Sequence, residues 1–212
     1  MTATAVLPGE PLAAPAVPRG SRDENPAGIG WLALLGEDLR THGGRLSSPG
    51  FLAVAVHRFG NWRMGVRRPV RAPLTLLYRA AFQAVRCGFG IDLPYDTRLG
   101  RRVRIDRHGV VVIGARSIGN DVVIRHSAIL GVTRRVGKDD KPDKPIIEDG
   151  VEIGPRACVI GAVTVGHHSL VCANTVVAMD IPPHSTVLGV PGRLVDLRQH
   201  TAPATTGDPA AR

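Results

Sequence analysis

The sequence predicts a parallel β-helix, because aliphatic residues recur at every sixth position through its second half. Between residues 147 and 182 this period is unbroken, and small or aliphatic residues also recur four positions later. The first set is Ile147, Ile153, Val159, Val165, Val171 and Val177, and the second is Val151, Ala157, Val163, Ser169, Thr175 and Ile181. Three such units make one coil of about 18 residues, and coils stack at about 4.8 Å.

The distribution of aromatic residues supports the same fold. No Phe, Tyr or Trp occurs between Thr97 and Val195, as expected for a narrow prism filled by stacked Val and Ile. The alternative, a β-sandwich, would show strands of period two and variable length. The regular sixfold repeat therefore favours the β-helix.

The first 90 residues are predicted to be a leader and a small α-helical region. Residues 1–27 are rich in Ala, Pro and Gly and lack a periodic apolar face, so we expect them to be disordered. Residues 28–90 contain apolar residues at helical spacing, and nearly all aromatic residues of the chain, which are expected to form a core there. The predicted helices cover residues 31–39, 51–62 and 73–88.

The predicted β-helix covers residues 91–195, and residues 196–212 are expected to form a disordered tail. Its early register is Leu93, Leu99, Ile105 and Val111, then one inserted residue, then Ile118, Ile124 and Leu130. The pattern is lost in a charged loop, residues 132–146. Such a loop is a common place for ligand contacts, although it is also compatible with a solvated excursion. Beyond Ile181 we expect a segment that caps the open end of the coil.

The charge and cysteine content limit the possible partners. The 212-residue chain carries a formal net charge of +9, which suits nucleic acid, an anionic membrane or a polyanionic small molecule. Because the repeats lack aromatic residues that would stack on bases, we favour the small molecule and expect no nucleic-acid or membrane partner. Three cysteines without a spacing motif, and no signal peptide or apolar run long enough for a membrane span, predict a cytoplasmic protein.

Outward-facing polar residues in the early coils are candidates for general-base catalysis. Asp106, His108 and His126 fall on outward positions of the repeat, and Asp92 precedes His108 by 16 residues. With about 18 residues per coil, these groups are expected on neighbouring coils of roughly one face. A carboxylate that orients an imidazole is a general-base arrangement, and solvated polar residues are the alternative.

Two other groups, a pair of histidines and a pair of cysteines, are not expected to form a site. His167 and His168 lie at a predicted corner, but adjacent residues of a strand point in opposite directions, so no shared metal is expected. Cys158 and Cys172 would need a setting that lowers the thiol pKa and a base at hand to act as nucleophiles. The sequence shows neither.

Several motifs together resemble the serine O-acetyltransferases, within the hexapeptide-repeat acyltransferases. The resemblance covers roughly residues 30–195. It is carried by Pro49-Gly50-Phe51 with Ala53, His57-Arg58 and Trp62, by Phe89 to Gly100, by the repeats, and by the ending Ile181-Pro182-Pro183-His184 with Gly189-Val190-Pro191-Gly192-Arg193. The ending is shared by many hexapeptide-repeat enzymes, whereas the Pro-Gly-Phe helix is more specific to the serine acetyltransferase branch.

The resemblance implies a left-handed parallel β-helix, a homotrimer with active sites between subunits, and acetyl-CoA as donor. It further implies direct acetyl transfer to a hydroxyl that a His-Asp pair activates. The positions that match the family's CoA contacts are Gly131, Pro155, Ala173 and Arg193.

The chain departs from the family pattern at the site itself. The family's catalytic Asp matches Asp92, but its catalytic His falls on Arg107, which cannot act as a base near neutral pH. The base is then either His108, after a local shift, or His126. The family's Arg-His-Pro loop motif, which holds the serine, reads Asp143-Lys144-Pro145 here.

Two further departures concern assembly and the acceptor. The connection between the first two helices, residues 41–48, is short, which puts the family's acceptor-binding Asp and its hexamer contacts in doubt. The family's C-terminal isoleucine, which docks the next enzyme of cysteine synthesis, is also absent, so we do not expect that docking.

The leading interpretation is therefore a cytoplasmic, trimeric, acetyl-CoA-dependent acetyltransferase that acts on L-serine. Lys144 is the expected partner of the serine carboxylate, and the other candidate acceptor residues are Asp106, Arg107, Arg134 and Asp143. One alternative is an enzyme that acetylates a sugar or specialised-metabolite hydroxyl. Another is a non-catalytic trimer that has lost the base.

Overall fold

The computed structural model describes residues 23–106, 109, 111–131 and 144–195. The predicted tail, most of the predicted leader and nearly all of the charged loop lie outside these residues. The described chain consists of helices followed by a long series of short parallel strands. None of its described helices is both long and apolar enough to cross a membrane.

The three predicted helices are present, and one boundary, the start of the third helix, differs by more than two residues. They are α1 (Trp31–Thr41), α2 (Pro49–Trp62) and α3 (Arg68–Phe89), and a 3₁₀ turn, Arg63–Gly65, follows α2. The sequence predicted that α3 begins at Pro73, since proline is favoured in the first turn of a helix. This start is wrong, because Pro69 occupies the first turn and Pro73 lies inside the helix.

The β region contains fifteen strands among the described residues, each two or three residues long. They are β1 (Ile91–Asp92), β2 (Arg98–Leu99), β3 (Arg104–Ile105), β4 (Val111–Ile113), β5 (Ser117–Ile118), β6 (Val123–Ile124), β7 (Ile129–Gly131), β8 (Ile146–Ile147), β9 (Glu152–Ile153), β10 (Cys158–Ile160), β11 (Thr164–Val165), β12 (Leu170–Val171), β13 (Val176–Val177), β14 (Thr186–Leu188) and β15 (Arg193–Val195).

These strands form three sheets that the chain visits in rotation. The first sheet has the order β1-β4-β7-β10-β13, the second β2-β5-β8-β11, and the third β3-β6-β9-β12-β14-β15. All pairings are parallel except that of β14 with β15, which forms an antiparallel cap. The chain therefore winds as a three-sided parallel coil, and the inward aliphatic residues of the repeat form a continuous buried core.

The number of residues per coil varies along the prism. Ile147 pairs with Val165, eighteen residues on, as the repeat predicts. In the early coils Ile105 pairs with Ile124, nineteen residues on, and Ile91 pairs with Val111, twenty residues on. The assumption of 18 residues per coil is therefore wrong for the early coils, because extra residues are accommodated in their corners.

Helix α2 is fixed to the first coil by buried polar contacts. Arg58 donates through Nε to Asp38 Oδ2 at 3.0 Å and through Nη1 to the Leu99 carbonyl oxygen at 2.8 Å. His57 Nε2 lies 2.8 Å from the carbonyl oxygen of Thr97. Arg58 and Asp38 are fully buried. Replacing either residue alone should therefore lower the free energy of unfolding by about 3–5 kcal/mol, because the other charge would remain buried without a partner.

Candidate active site

A cleft of about 420 Å³ lies where the helices meet the early coils of the prism. One wall is the end of α1 and the turn after it, and the other is the strand β3 with the turns that follow β3 and β6. Its lining residues are Arg40, Thr41, His42, Gly43, Ser48, Arg104, Ile105, Asp106 and His126. The cleft therefore combines two guanidinium groups, a carboxylate and two imidazoles in one space.

Asp106 and His126 are brought together by the pairing of β3 with β6. Each residue lies in the corner that leads from the third sheet to the first, called here the third-to-first corner. Asp106 Oδ2 lies 3.5 Å from His126 Nδ1 and 3.4 Å from its backbone nitrogen. The first distance is long for a hydrogen bond, so the carboxylate acts on the ring mainly through its charge. The half-exposed imidazole remains accessible to a ligand in the cleft.

Gly109 shows how closely the third-to-first corners of neighbouring coils are packed. A Cβ added at Gly109 would lie 2.8 Å from Ser127 Oγ and 3.3 Å from His126 Cβ. Gly109 also has a φ of +90°, which a larger residue would adopt only with strain. The turn after β3 therefore passes directly over the turn that carries His126, although Arg107 and His108 lie outside the described residues.

Asp92 contacts Arg86, and its expected partner His108 lies outside the described residues. Asp92 lies in β1, pairs with Val112 in the first sheet, and its Oδ2 is 3.4 Å from Arg86 Nε. Among the described candidates, the structure brings Asp106 rather than Asp92 to His126. Since Arg86 contacts only one oxygen, the Asp92 carboxylate has a second oxygen that can accept a further hydrogen bond.

His42 joins the end of α1 to β3 and was missed by the sequence analysis. Its Nδ1 lies 2.8 Å from the Asp38 carbonyl oxygen, and its Nε2 accepts the backbone N–H of Ile105 at 3.2 Å. Accepting at Nε2 leaves the proton on Nδ1, which donates to Asp38. The Pro-Gly-Phe motif could have indicated this contact, since a Cβ at Gly50 would overlap both the Ile105 oxygen and the His42 ring.

Arg40 and Arg104 are the charged cleft residues that the sequence analysis did not identify. Arg104 is an exposed strand residue next to inward Ile105, and Arg40 is in the last turn of α1. Neither stands out in a sequence with 27 lysines and arginines. Their convergence gives the cleft the positive charge that a carboxylate-bearing ligand needs.

Lys144 lies at another corner of the prism. Its Nζ is 3.0 Å from Asp96 Oδ2, between the first and second sheets, and it does not line the cleft within this chain. The remaining predicted loop residues, Arg134 and Asp143, lie outside the described residues.

Comparisons with known proteins place the chain in a family. No protein-family model matches it. A serine acetyltransferase of Mycobacterium tuberculosis is 37% identical over 154 residues, which are 71% of this chain and 62% of the relative. That of Escherichia coli K12 is 35% identical over 147 residues, 69% of this chain and 50% of the relative. The soybean serine acetyltransferase apoenzyme is 34% identical, with a TM-score of 0.63 over 78% of this chain and 69% of that one.

The chain belongs to the serine acetyltransferase family. It spans about half to three fifths of the length of the two bacterial relatives. A soybean serine acetyltransferase has also been solved in complex with serine, with the same identity and TM-score of 34% and 0.63.

Two of the four residues that the sequence analysis expects to contact CoA, Pro155 and Ala173, lie on the same edge of the prism as His126. Pro155 accepts the backbone N–H of Asn174 at 2.9 Å, and Arg156 donates its N–H to the His126 carbonyl oxygen at 3.1 Å. Ala173 packs against Gly154 so closely that a Cβ there would lie 2.7 Å from its nitrogen. The third-to-first corners thus stack from the cleft along the coil.

The other two residues expected to contact CoA, Gly131 and Arg193, lie elsewhere on the prism. Gly131 ends β7 in the first sheet, and its carbonyl oxygen accepts the Gly161 N–H at 3.3 Å. Arg193 begins the cap strand β15, opposite Leu188.

The late coils carry two cysteines and two adjacent histidines that were not expected to form a site. Burial raises the pKa of the Cys158 and Cys172 thiols, which disfavours the thiolate that a nucleophile requires. His167 and His168 occupy a turn and not a strand, so the rule that adjacent side chains diverge does not apply to them. Their side chains converge with that of His184.

Proposed function

We propose that the protein is an acetyl-CoA-dependent O-acetyltransferase that transfers the acetyl group to the hydroxyl of L-serine. The observation that carries this proposal is the cleft, where Asp106 and His126 face Arg40 and Arg104. A zwitterionic amino acid needs a cation for its carboxylate and an anion for its ammonium group, and the cleft supplies both. Membership of the family supports serine as the acceptor.

The proposed donor site is the edge that runs from the cleft past Pro155 and Ala173. Backbone groups and small residues dominate this edge, which suits the extended pantetheine arm of CoA. The left-handed sense of the coil, the homotrimer and the cytoplasmic location are parts of the same proposal. These three parts rest on the family resemblance. The same resemblance makes Gly131 and Arg193 further proposed contacts of CoA.

In the proposed reaction a histidine of the third-to-first corner acts as general base. His108 takes the proton from the serine hydroxyl, and the oxygen attacks the thioester carbonyl carbon of acetyl-CoA. The tetrahedral intermediate collapses with cleavage of the C–S bond, and the imidazolium returns the proton to the CoA sulfur. Asp92 would orient the base, and Asp106 with His126 would hold the acceptor beside it.

A second acceptor class is favoured by one specific feature. The family loop motif that holds serine reads Asp143-Lys144-Pro145 here, and Lys144 is engaged with Asp96. If the loop does not bind a carboxylate, the acceptor would be a sugar or specialised-metabolite hydroxyl. A third candidate is a trimer without catalysis. Its basis is Arg107, which occupies the position of the family's catalytic histidine and cannot act as a base.

The decisive experiment measures release of free CoA from acetyl-CoA across a panel of acceptors. We expect turnover with L-serine and little with D-serine, sugars or other hydroxyl amino acids. Turnover confined to a sugar would transfer the proposal to the second acceptor class. Absence of turnover with every acceptor, from a folded protein that still binds CoA, would favour the non-catalytic trimer.

A further inference from the structure

Three histidines converge at a corner far along the prism from the cleft. His167 and His168 form the turn between β11 and β12, and His184 lies in the turn before β14, one coil on. The backbone N–H of His184 donates to the His167 carbonyl oxygen at 2.9 Å, which aligns the two turns. This corner leads from the second sheet to the third, so it is a different edge from the one that carries Asp106 and His126.

The ring nitrogens of the three histidines are close enough to share one ion. One ring nitrogen from each residue lies within 4.8 Å of the other two. His167 Nδ1 and His168 Nδ1 are 3.2 Å apart. Imidazoles bound tetrahedrally to zinc at about 2.0–2.1 Å have nitrogens about 3.3 Å apart, so this pair already has the required separation.

The rings approach from different directions. The planes of His168 and His184 are nearly parallel, at 11°, with centroids 5.3 Å apart. The His167 ring stands across both, at 86° to His168 and 90° to His184. Small side-chain rotations would bring the third nitrogen into place, because both His168 and His184 are exposed.

The backbone conformation of this corner is set by the fold, whereas the histidines are a feature of this sequence. His168 and His184 have φ values of +56° and +55°, and Arg102 and Asp121 adopt the same conformation at the equivalent corner of earlier coils. Gly150 occupies the corner beneath His168, where an added Cβ would lie 2.9 Å from the imidazole Cδ2. The imidazole therefore rests on the glycine backbone.

A nearby carboxylate makes the corner suitable for a cation. Glu148 Oε2 accepts the backbone N–H of His167 at 2.8 Å, which places a negative charge at the turn that carries His167 and His168. Neutral imidazole nitrogens are ligands for zinc and similar transition metals, whereas magnesium and calcium prefer oxygen.

We propose that His167, His168 and His184 bind one divalent transition-metal ion of the zinc class, with water in the fourth position. The ion would join the corner of one coil to the equivalent turn of the next coil, which precedes the cap hairpin. It would lie outside the proposed acetyl-transfer site, and this inference does not depend on the proposed function. Its expected role is to stabilise the C-terminal end of the prism.

The experiment uses the full chain without a histidine tag, treated with a chelator and titrated with zinc chloride by calorimetry. We expect one zinc ion per chain and a rise in Tm on zinc addition. His184→Ala should weaken zinc binding by at least about a hundredfold and abolish the rise in Tm, because it removes one of three ligands. His126→Ala, which removes an exposed histidine on another edge, is the matched control and should bind zinc like the wild type.

Several outcomes would overturn the proposal. These are the absence of zinc binding to the wild type, or binding that persists unchanged in His167→Ala/His168→Ala/His184→Ala. If that triple variant fails to fold, the single variant His184→Ala decides. Binding should also weaken on acidification, since a protonated imidazole cannot ligate a metal. Affinity that is independent of pH would exclude imidazole ligands.

Discussion

Asp106 contacts two groups of the next coil, the imidazole and the backbone nitrogen of His126. The carboxylate is only 21% exposed, whereas the imidazole is 52% exposed. A negative charge that is more enclosed than the ring beside it limits the rotation of the ring. This arrangement suits a histidine that positions an acceptor or shares its proton.

The identity of the base can be tested with two alanine variants. We expect His108→Ala to lower kcat for serine acetylation by about 10²–10⁴, as loss of a general base does. His126→Ala should cause a smaller loss, because it would remove only acceptor positioning. Steady-state kinetics as a function of pH provide the measurement, and the acidic limb of the kcat/KM profile should disappear in His108→Ala. If His126→Ala is the more damaging change, the base is His126.

Single substitutions can also test which cation binds the carboxylate of the acceptor. Arg104 lines the cleft, whereas Lys144 is engaged with Asp96 in the same chain. Arg104→Gln should raise KM for serine at least tenfold, which corresponds to about 1.4 kcal/mol of lost serine-binding free energy. KM for acetyl-CoA should change little.

Lys144→Gln is the matched comparison for Arg104→Gln. An increase of the same size in KM for serine would show that Lys144 reaches a cleft, and that the loop of a neighbouring chain completes the site. Unchanged serine KM values in both variants would exclude both residues as carboxylate partners.

Helix α2 is the element that joins the helical region to the prism, and His57 is the buried titratable group in this contact. Burial lowers the pKa of His57 to about 3, and the positive charge of Arg58 acts in the same direction. Its Nε2 contacts the Thr97 oxygen at 2.8 Å, and Nδ1 has no hydrogen-bond partner among the described residues. The folded protein therefore holds this ring neutral.

The stability of the fold should consequently fall as the pH is lowered. Below about pH 6.5 His57 binds a proton in the unfolded chain but stays neutral in the folded chain. The free energy of unfolding therefore falls by up to about 1.4 kcal/mol per pH unit. Between about pH 7 and about pH 5 the expected loss from this residue is about 2 kcal/mol. The measurement is urea denaturation of the wild type and His57→Gln, in which the loss should be smaller.

Two comparisons make the His57 test specific. His126→Gln removes an exposed histidine and should retain the pH dependence of the wild type. Burial raises the pKa of Asp38, against the effect of Arg58, and this carboxyl acts in the opposite direction, since its folded form binds a proton more readily. Asp38 is present in all three proteins, so equal pH dependence of the wild type and His57→Gln would contradict the prediction.

At the level of elements, the repeat was predictable because inward positions of a stacked coil accept only aliphatic or small residues. Ile147, Val159 and Val171 are buried as their spacing predicts. The start of α3 was not predictable, because Pro69 and Pro73 both satisfy the rule for a first turn. The lengths of the corners could not be predicted from the repeat either, since a corner can hold an extra residue without changing the inward pattern on either side.

The site was predictable only in part for a related reason. Asp106 and His126 could be selected from their outward positions, and both line the cleft. Arg40 and His42 come from a helix more than sixty residues before Asp106, and no sequence period relates them to the prism. Only the packing of α1 and α2 on the first coils brings them to the cleft.

At the level of the whole molecule, the prism leaves apolar side chains on its outer faces. Ile129 in β7 is 44% exposed, and Val123, Ile160 and Leu170 are half-buried. A single chain would keep these apolar groups in contact with water, which is unfavourable. Packing of three prisms would cover them, and the groove between adjacent prisms would then contain the edge with Pro155 and Ala173.

We therefore expect the full chain to have three times the monomer mass in light scattering. Ile129→Lys should shift it toward monomers and reduce acetyl transfer, because a buried charge at the contact is costly and the groove would be lost. Leu32→Lys is the matched control, since Leu32 is 75% exposed but lies on α1, and it should remain trimeric. A monomeric wild type with intact acetyl transfer would contradict the prediction, because the donor groove would then have to form within one chain.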